Sequence, residues 1–173
     1  MNLGDQEHHE IDRVRYYLKP GYIFLNHEPT LIYTVIGSAV SVCLWDRKNR
    51  YGGVAHFIYP KISKPTKATA QYGNVAVLTL IKLMMTDGSE KPCLEAQVFG
   101  GGDPASFTEQ TLGNQNVMMA KKILIHQGIP IISEDVGGSK GRKLVFKSDT
   151  NEAVVLKVDR LRQEDWFPYR LIE

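Results

Sequence analysis

Between residues 22 and 59 the chain is built of short apolar runs, none long enough to form a helical stripe. YIFL (22–25), LIYTVI (31–36), VSVCLW (40–45) and GGVAHFIY (52–59) are rich in β-branched and aromatic residues. Such residues suit a pleated, half-buried surface, and four runs so close together demand a sheet. The polar stretch 46–51 between the last two runs suits a hairpin turn, which makes that pair antiparallel. With the turn centred near residue 48, residues whose numbers sum to about 95 or 96 face each other. Position 39 then lies opposite 56 or 57.

The rest of the chain supplies helices and more strands. In YGNVAVLTLIKLMMT (72–86) the apolar positions cover most of a helical surface, with Asn74 as a candidate N-cap. Residues 116–127 carry Val117, Ala120 and Leu124 on one stripe and end before Gly128, a helix stop. Residues 94–99, 129–133, 143–147 and 153–158 read as further strands. About eight strands and two helices in non-alternating order predict a layered α/β domain and exclude a doubly wound parallel sheet. The expected organisation is a polar N-terminal arm over 1–15, one domain over 16–160, and an extension over 161–173, with Trp166, Phe167 and Pro168, packing back on it.

Charge and cysteine usage narrow the functional classes. With 21 basic and 19 acidic residues, and only three lysines in the densest basic cluster (61–67), there is no footprint for nucleic acid. That cluster reads as a solvated loop. The most apolar stretch, 31–45, is shorter than the roughly 20 residues a membrane helix needs and is broken by Thr34, Gly37, Ser38 and Ser41. The N-terminal residues lack the apolar region of a signal peptide. Cys43 and Cys93 form no disulfide framework, and no Cys/His spacing fits zinc. His8 and His9 read as a solvated pair. A cytoplasmic monomer with reduced thiols and neither metal nor cofactor is therefore expected.

Three glycine-bearing places stand out. Gly100-Gly101-Gly102-Asp103 follows a strand, as phosphate loops do, but lacks both the Gly-Lys-Ser/Thr signature and the GxGxxG spacing. It reads as a turn that lets backbones approach closely. The loop 137–142 reads as a hairpin loop with two cations. Gly37-Ser38-Ala39 is a small-residue kink between two strands, and the hairpin brings His56 near it. A histidine beside such a kink has the geometry of a base beside a nucleophile, although alanine attacks nothing and buried histidines are commonly structural.

Taken together, TVIGSAVSVCLWD (34–46), GGVAHFIYP (52–60), QYGNVAV (71–77), VFGGGDPASF (98–107), GNQNVMMAKKIL (113–124) and GIPIISEDVGGSKGRKLVF (128–146) resemble, in order, the motifs of the CheD family of chemoreceptor glutamine deamidases. The resemblance runs from about residue 22 to 157. It implies an α/β/β layered sandwich of mixed sheets, similar to the catalytic domain of cytotoxic necrotizing factor toxins. It further implies hydrolysis of receptor glutamine side chains to glutamate with ammonia release, by a Cys-His pair assisted by a threonine. Receptor cytoplasmic helices are then the substrate, and a phosphatase of the CheC type is a further partner.

Carried onto this chain, the family's histidine is His56 and its threonine is Tyr33 or Thr34, according to register. Backbone N–H groups of Gly37, Ser38 and position 39 are the implied oxyanion donors. The family's cysteine falls on Ala39. Cys43 points to the same strand face but lies about 13 Å further on, and Ser38 points to the opposite face. Ala39 is either an introduced substitution or a natural loss. In both cases the expectation is an inactive deamidase, the alternative being a non-catalytic chemotaxis binding module.

Overall fold

The computed structural model describes residues 12–103 and 110–166. Among these residues, nine strands form two mixed sheets. The strands are β1 (Val14–Tyr17), β2 (Tyr22–Leu25), β3 (Thr30–Ile36), β4 (Val40–Asp46), β5 (Tyr51–Phe57), β6 (Leu94–Gly100), β7 (Ile131–Val136), β8 (Gly141–Lys147) and β9 (Ala153–Val158). One sheet has the order β1-β3-β8-β9 and the other β2-β5-β4-β6-β7; β1–β3 and β6–β7 are the parallel pairs. Helices α1 (Gly73–Thr86) and α2 (Leu112–His126) complete the fold.

The packing explains the sequence pattern. Val40, Val42 and Leu44 of β4 share one core with Leu80 and Met84 of α1 and Ala120 and Leu124 of α2. Cys43 and Trp45, on the other face of β4, share a second core with Ile32 and Ile36 of β3 and Leu144 and Phe146 of β8. The five-stranded sheet is thus covered by helices on one face and by the four-stranded sheet on the other, the α/β/β sandwich. Both faces of its central strands being dry, β4 and β5 are buried at every position and show no alternation. In the outer sheet β8 alternates buried and half-buried, because only one of its faces meets the core.

Several expectations need correction. The strand β1 is not among those anticipated; it draws Val14 and Arg15 out of the expected arm and into the sheet beside Thr30 and Leu31. His8 and His9 lie outside the described residues, as do Phe167 and Pro168. Helix α2 starts at Leu112, four residues early, because the Thr111 hydroxyl caps it by accepting from Asn114 N at 3.2 Å. Asn74 does not cap α1, which begins after Tyr72; its side chain instead pairs with Ile62 N and O at 3.0 and 2.9 Å.

The β4–β5 register sums to 97 rather than 95 or 96. Asp46 is the cause. Its carboxylate accepts from Lys48 N and Asn49 N at 2.8 and 3.0 Å, and Arg50 takes φ 56°, so the turn closes on the pair Asp46–Tyr51.

Candidate functional site

The kink at Gly37-Ser38-Ala39 is where the chain leaves the outer sheet at the end of β3 and enters the inner sheet as β4. Backbone groups of the triglycine segment hold it: Gly101 N donates to Ala39 O at 2.8 Å and Gly102 N to Gly37 O at 3.0 Å. Close approach is the reason for the glycines. A Cβ on Gly100, whose φ is 117°, would collide with Ala39 O, and one on Gly102 would stand 2.5 Å from Lys140 O. The triglycine is a packing device for the kink.

The loop after β7 joins the same cluster. Gly137 N donates to Gly100 O at 2.9 Å and Asp103 N to Gly138 O at 2.8 Å. The loop's anchor is Arg142, buried at 1% exposure, which donates to Asp135 Oδ1 at 2.9 Å, Gly137 O at 2.8 Å and Lys140 O at 3.1 Å. Burial works to raise the Asp135 carboxyl, and hydrogen bonds and charge from Arg142 and Lys157 outweigh it, holding it below the usual range. The Asp-x-Gly-Gly-x-x-Gly-Arg run therefore does more than close a hairpin: it is a loop whose two ends clasp each other. Between kink and loop opens a cleft of about 740 Å³, lined by Gly37, Ser38, Gly102, Leu112, Lys140 and Leu161. Leu161, just past β9, forms a wall, 3.7 Å from where a Gly37 Cβ would stand.

His56 lies on β5, fully buried, facing the space between the sheets. Thr34 reaches it from β3: the Thr34 hydroxyl donates to Leu18 O at 3.0 Å and lies 2.7 Å from His56 Nδ1. A hydroxyl carries one proton, and a backbone carbonyl can only accept. With that proton on Leu18 O, Nδ1–H is the donor to Thr34 Oγ1, which leaves Nε2 with its lone pair. Burial pushes the imidazole pKa down to about 3, so the ring is neutral at physiological pH. Nε2 is buried without a partner among the described residues. Tyr33 sits on the other face of β3, its ring stacked on Tyr17 at 5.1 Å, so Thr34 is the residue brought to the histidine.

The corrected register places Ser41 directly opposite His56 and Phe57 opposite Val40. Ala39, two residues before Ser41, packs on the inter-sheet core and is one of the two diagonal neighbours of His56; Cys43, two residues after Ser41, is the other, so its distance from position 39 does not by itself separate it from the histidine. Diagonal Cβ atoms lie about 7–8 Å apart or somewhat less, within reach of a side chain of cysteine length and an imidazole. Cys43 pairs with Val54 further along the strand, fully buried, and burial raises its thiol far above the ordinary range. That burial holds it as the protonated thiol.

Ser41 and Asn116 are site residues that the sequence does not single out. Ser41 Oγ is buried without a partner among the described residues, beside His56. Strand parity places it there once the hairpin register is known. Asn116, within the GNQNV segment, donates through Nδ2 to Ser38 O at 2.9 Å. In the sequence it reads only as the first residue of a helix.

Comparison with known proteins identifies the relatives of the chain. A family model described as CheD chemotactic sensory transduction matches residues 60–157. The chain is 40% identical over 145 residues to a protein of Anaeromyxobacter dehalogenans named "Probable chemoreceptor glutamine deamidase CheD 1", covering 83% of this chain and 84% of that protein. It is 33% identical over 147 residues to the "Probable chemoreceptor glutamine deamidase CheD" of Sulfurimonas denitrificans, covering 83% and 94%. A third similar protein, of Trichlorobacter lovleyi, carries the same name and is 35% identical over 138 residues, covering 79% and 86%.

Proposed function

Because the chain belongs to the CheD family, we propose that its cleft receives a glutamine side chain of a chemoreceptor, and that Ala39 leaves the site able to hold that group but not to hydrolyse it. The observation that carries this reading is His56, whose unprotonated Nε2 is diagonal to Ala39 across the β4–β5 ladder.

With cysteine at position 39 the chemistry follows from the geometry. His56 Nε2 takes the thiol proton, and the thiolate attacks the carboxamide carbon. The carbonyl oxygen gains negative charge, for which backbone N–H groups of the Gly37–Ala39 kink are the donors. The C–N bond then breaks, His56 returns the proton to the leaving nitrogen, and ammonia departs. Water, deprotonated by the same Nε2, hydrolyses the thioester to glutamate and free thiol. The buried imidazole is neutral at physiological pH and so has a lone pair to accept the proton, but burial lowers its basicity, and substrate and thiolate must raise it for the transfer to be efficient.

With alanine the sequence stops before its first step. Cys43, the other diagonal neighbour of His56, is fully buried, and burial keeps its thiol protonated. Contacts that bind the amide do not depend on the sulfur, so binding and turnover separate. The chain therefore acts as a receptor-binding module with a deamidase frame. A phosphatase of the CheC type is the second partner the same cleft would accommodate. Calorimetry with a helical receptor peptide carrying glutamine tests the reading. Binding at micromolar or tighter affinity, lost when the cleft is blocked by Ser38→Trp, supports it. The absence of heat for both the peptide and a CheC-type protein overturns it.

A further inference from the structure

We propose that Asn116 is a positioning residue that fixes position 39 relative to His56; the inference rests on the Cys-His reading of the site. Asn116 lies on α2, fully buried against the inner sheet. Its Nδ2 donates to two carbonyls, Ser38 O at 2.9 Å and Ile58 O at 2.8 Å. Ser38 immediately precedes position 39. Ile58 follows Phe57, the last paired residue of the ladder, and would be the partner of position 39 if the ladder ran one step further.

The β4–β5 ladder ends at Val40–Phe57, so the strand ends beyond it have no rung of their own. Asn116 supplies one from outside the sheet. Two carbonyl oxygens need two protons, and a primary amide carries two on one nitrogen. Aspartate would offer none, serine one, and glutamine would place the same group a methylene too far. The clamp ties the kink that bears position 39 to the strand that bears His56, while Gly101 N, packed against the same helix, holds Ala39 O.

A second observation separates this role from ordinary packing. Asn116 Oδ1 is buried without a partner among the described residues. Among those residues the side chain is thus held by its two donated bonds alone, and an apolar residue in its place would leave Ser38 O and Ile58 O without that donor. Reactive pairs are sensitive to displacements of about 1 Å, which lower rates on the order of 100-fold. The clamp controls that displacement.

The test uses the full chain with Ala39→Cys, reading alkylation of the introduced thiol by iodoacetamide against pH, with modification at position 39 resolved from that at Cys43 and Cys93 by tandem mass spectrometry. A thiol coupled to His56 gives a midpoint below the ordinary value of about 8.5, and His56→Ala returns it there. Adding Asn116→Ala is expected to move the midpoint up toward that ordinary value and to slow alkylation at pH 7 roughly tenfold, corresponding to about one pH unit. Asn116→Ser, which keeps a small polar group but has one donor, serves where the alanine variant folds poorly and should give a shift of the same sign. A midpoint unchanged by either variant, with only the melting temperature lowered, overturns the proposal and leaves Asn116 a structural residue. A midpoint already ordinary in Ala39→Cys itself, and indifferent to His56→Ala, overturns the Cys-His reading instead.

Discussion

Thr34 and His56 belong to different sheets, yet Thr34 Oγ1 lies 2.7 Å from His56 Nδ1, so one hydrogen bond across the sandwich sets the tautomer of the only buried imidazole among the described residues. The threonine is in turn oriented by Leu18 O, which makes the segment before β2 part of the site's support. Removing the hydroxyl leaves a buried N–H and a carbonyl unpaired. Thr34→Val should therefore lower stability by about 1–3 kcal/mol and release the tautomer. Chemical denaturation reads the first effect. The ¹⁵N shifts of the His56 ring read the second; a ring that stays protonated at Nδ1 alone in the valine variant would contradict the assignment.

The depressed pKa of His56 makes stability depend on pH with a definite sign. The folded ring titrates near 3 and the unfolded ring near 6.5, so below about pH 6.5 the unfolded chain binds a proton that the folded chain does not. Stability is fully present above the unfolded pKa and falls with decreasing pH, by about 1.4 kcal/mol per unit, until the folded pKa is reached. Between pH 7 and 5 the loss from this group should be about 2 kcal/mol. Comparing urea denaturation of the chain with that of His56→Gln isolates it: the variant's pH dependence should be shallower by that amount. Equal slopes would show that His56 is not held neutral.

Much of this site is legible in the sequence, and what is not has identifiable causes. The strands of the inner sheet announce themselves as apolar runs because both faces are buried. β1 does not, since its four residues are exposed and carry an arginine and two tyrosines. Thr34 and Tyr33 cannot be separated without the face assignment of β3, which only the packing of Ile32 and Ile36 supplies. The neighbourhood of Ala39 and His56 is readable, but its register comes out at least one residue off because the Asp46 carboxylate re-centres the turn. Asn116 is invisible as a site residue because its two carbonyl partners are 78 and 58 positions away in the chain.

Arg142 should prove the most sensitive residue of the cleft loop. Replacing it with Met leaves Gly137 O and Lys140 O without their donor and Asp135 with Lys157 alone, at 3.1 Å. A cost of about 3 kcal/mol is expected, at the lower end for a broken buried pair because Asp135 keeps that second cation. Amide exchange in residues 137–141 should rise in parallel. Retention of both stability and exchange protection would show that the clasp does not hold the loop.

Leu161 tests the cleft wall separately from the catalytic geometry. Its side chain approaches Gly37 and Gly141 and is part of the lining. Leu161→Ala should weaken binding of a glutamine-bearing receptor peptide roughly fivefold, the equivalent of about 1 kcal/mol of lost apolar contact, while leaving the His56 ring shifts unchanged. Unaltered affinity would place the bound peptide elsewhere.

If the site lacks only a sulfur at position 39, supplying one should restore the chemistry. Ammonia release from a chemoreceptor cytoplasmic fragment, measured for Ala39→Cys and for Ala39→Cys combined with His56→Ala, tests this most directly. The single variant should release ammonia and convert receptor glutamine to glutamate, and the double variant should be slower by about 10²–10⁴-fold, the usual contribution of a positioned base. No ammonia from Ala39→Cys, or equal rates with and without His56, would contradict it.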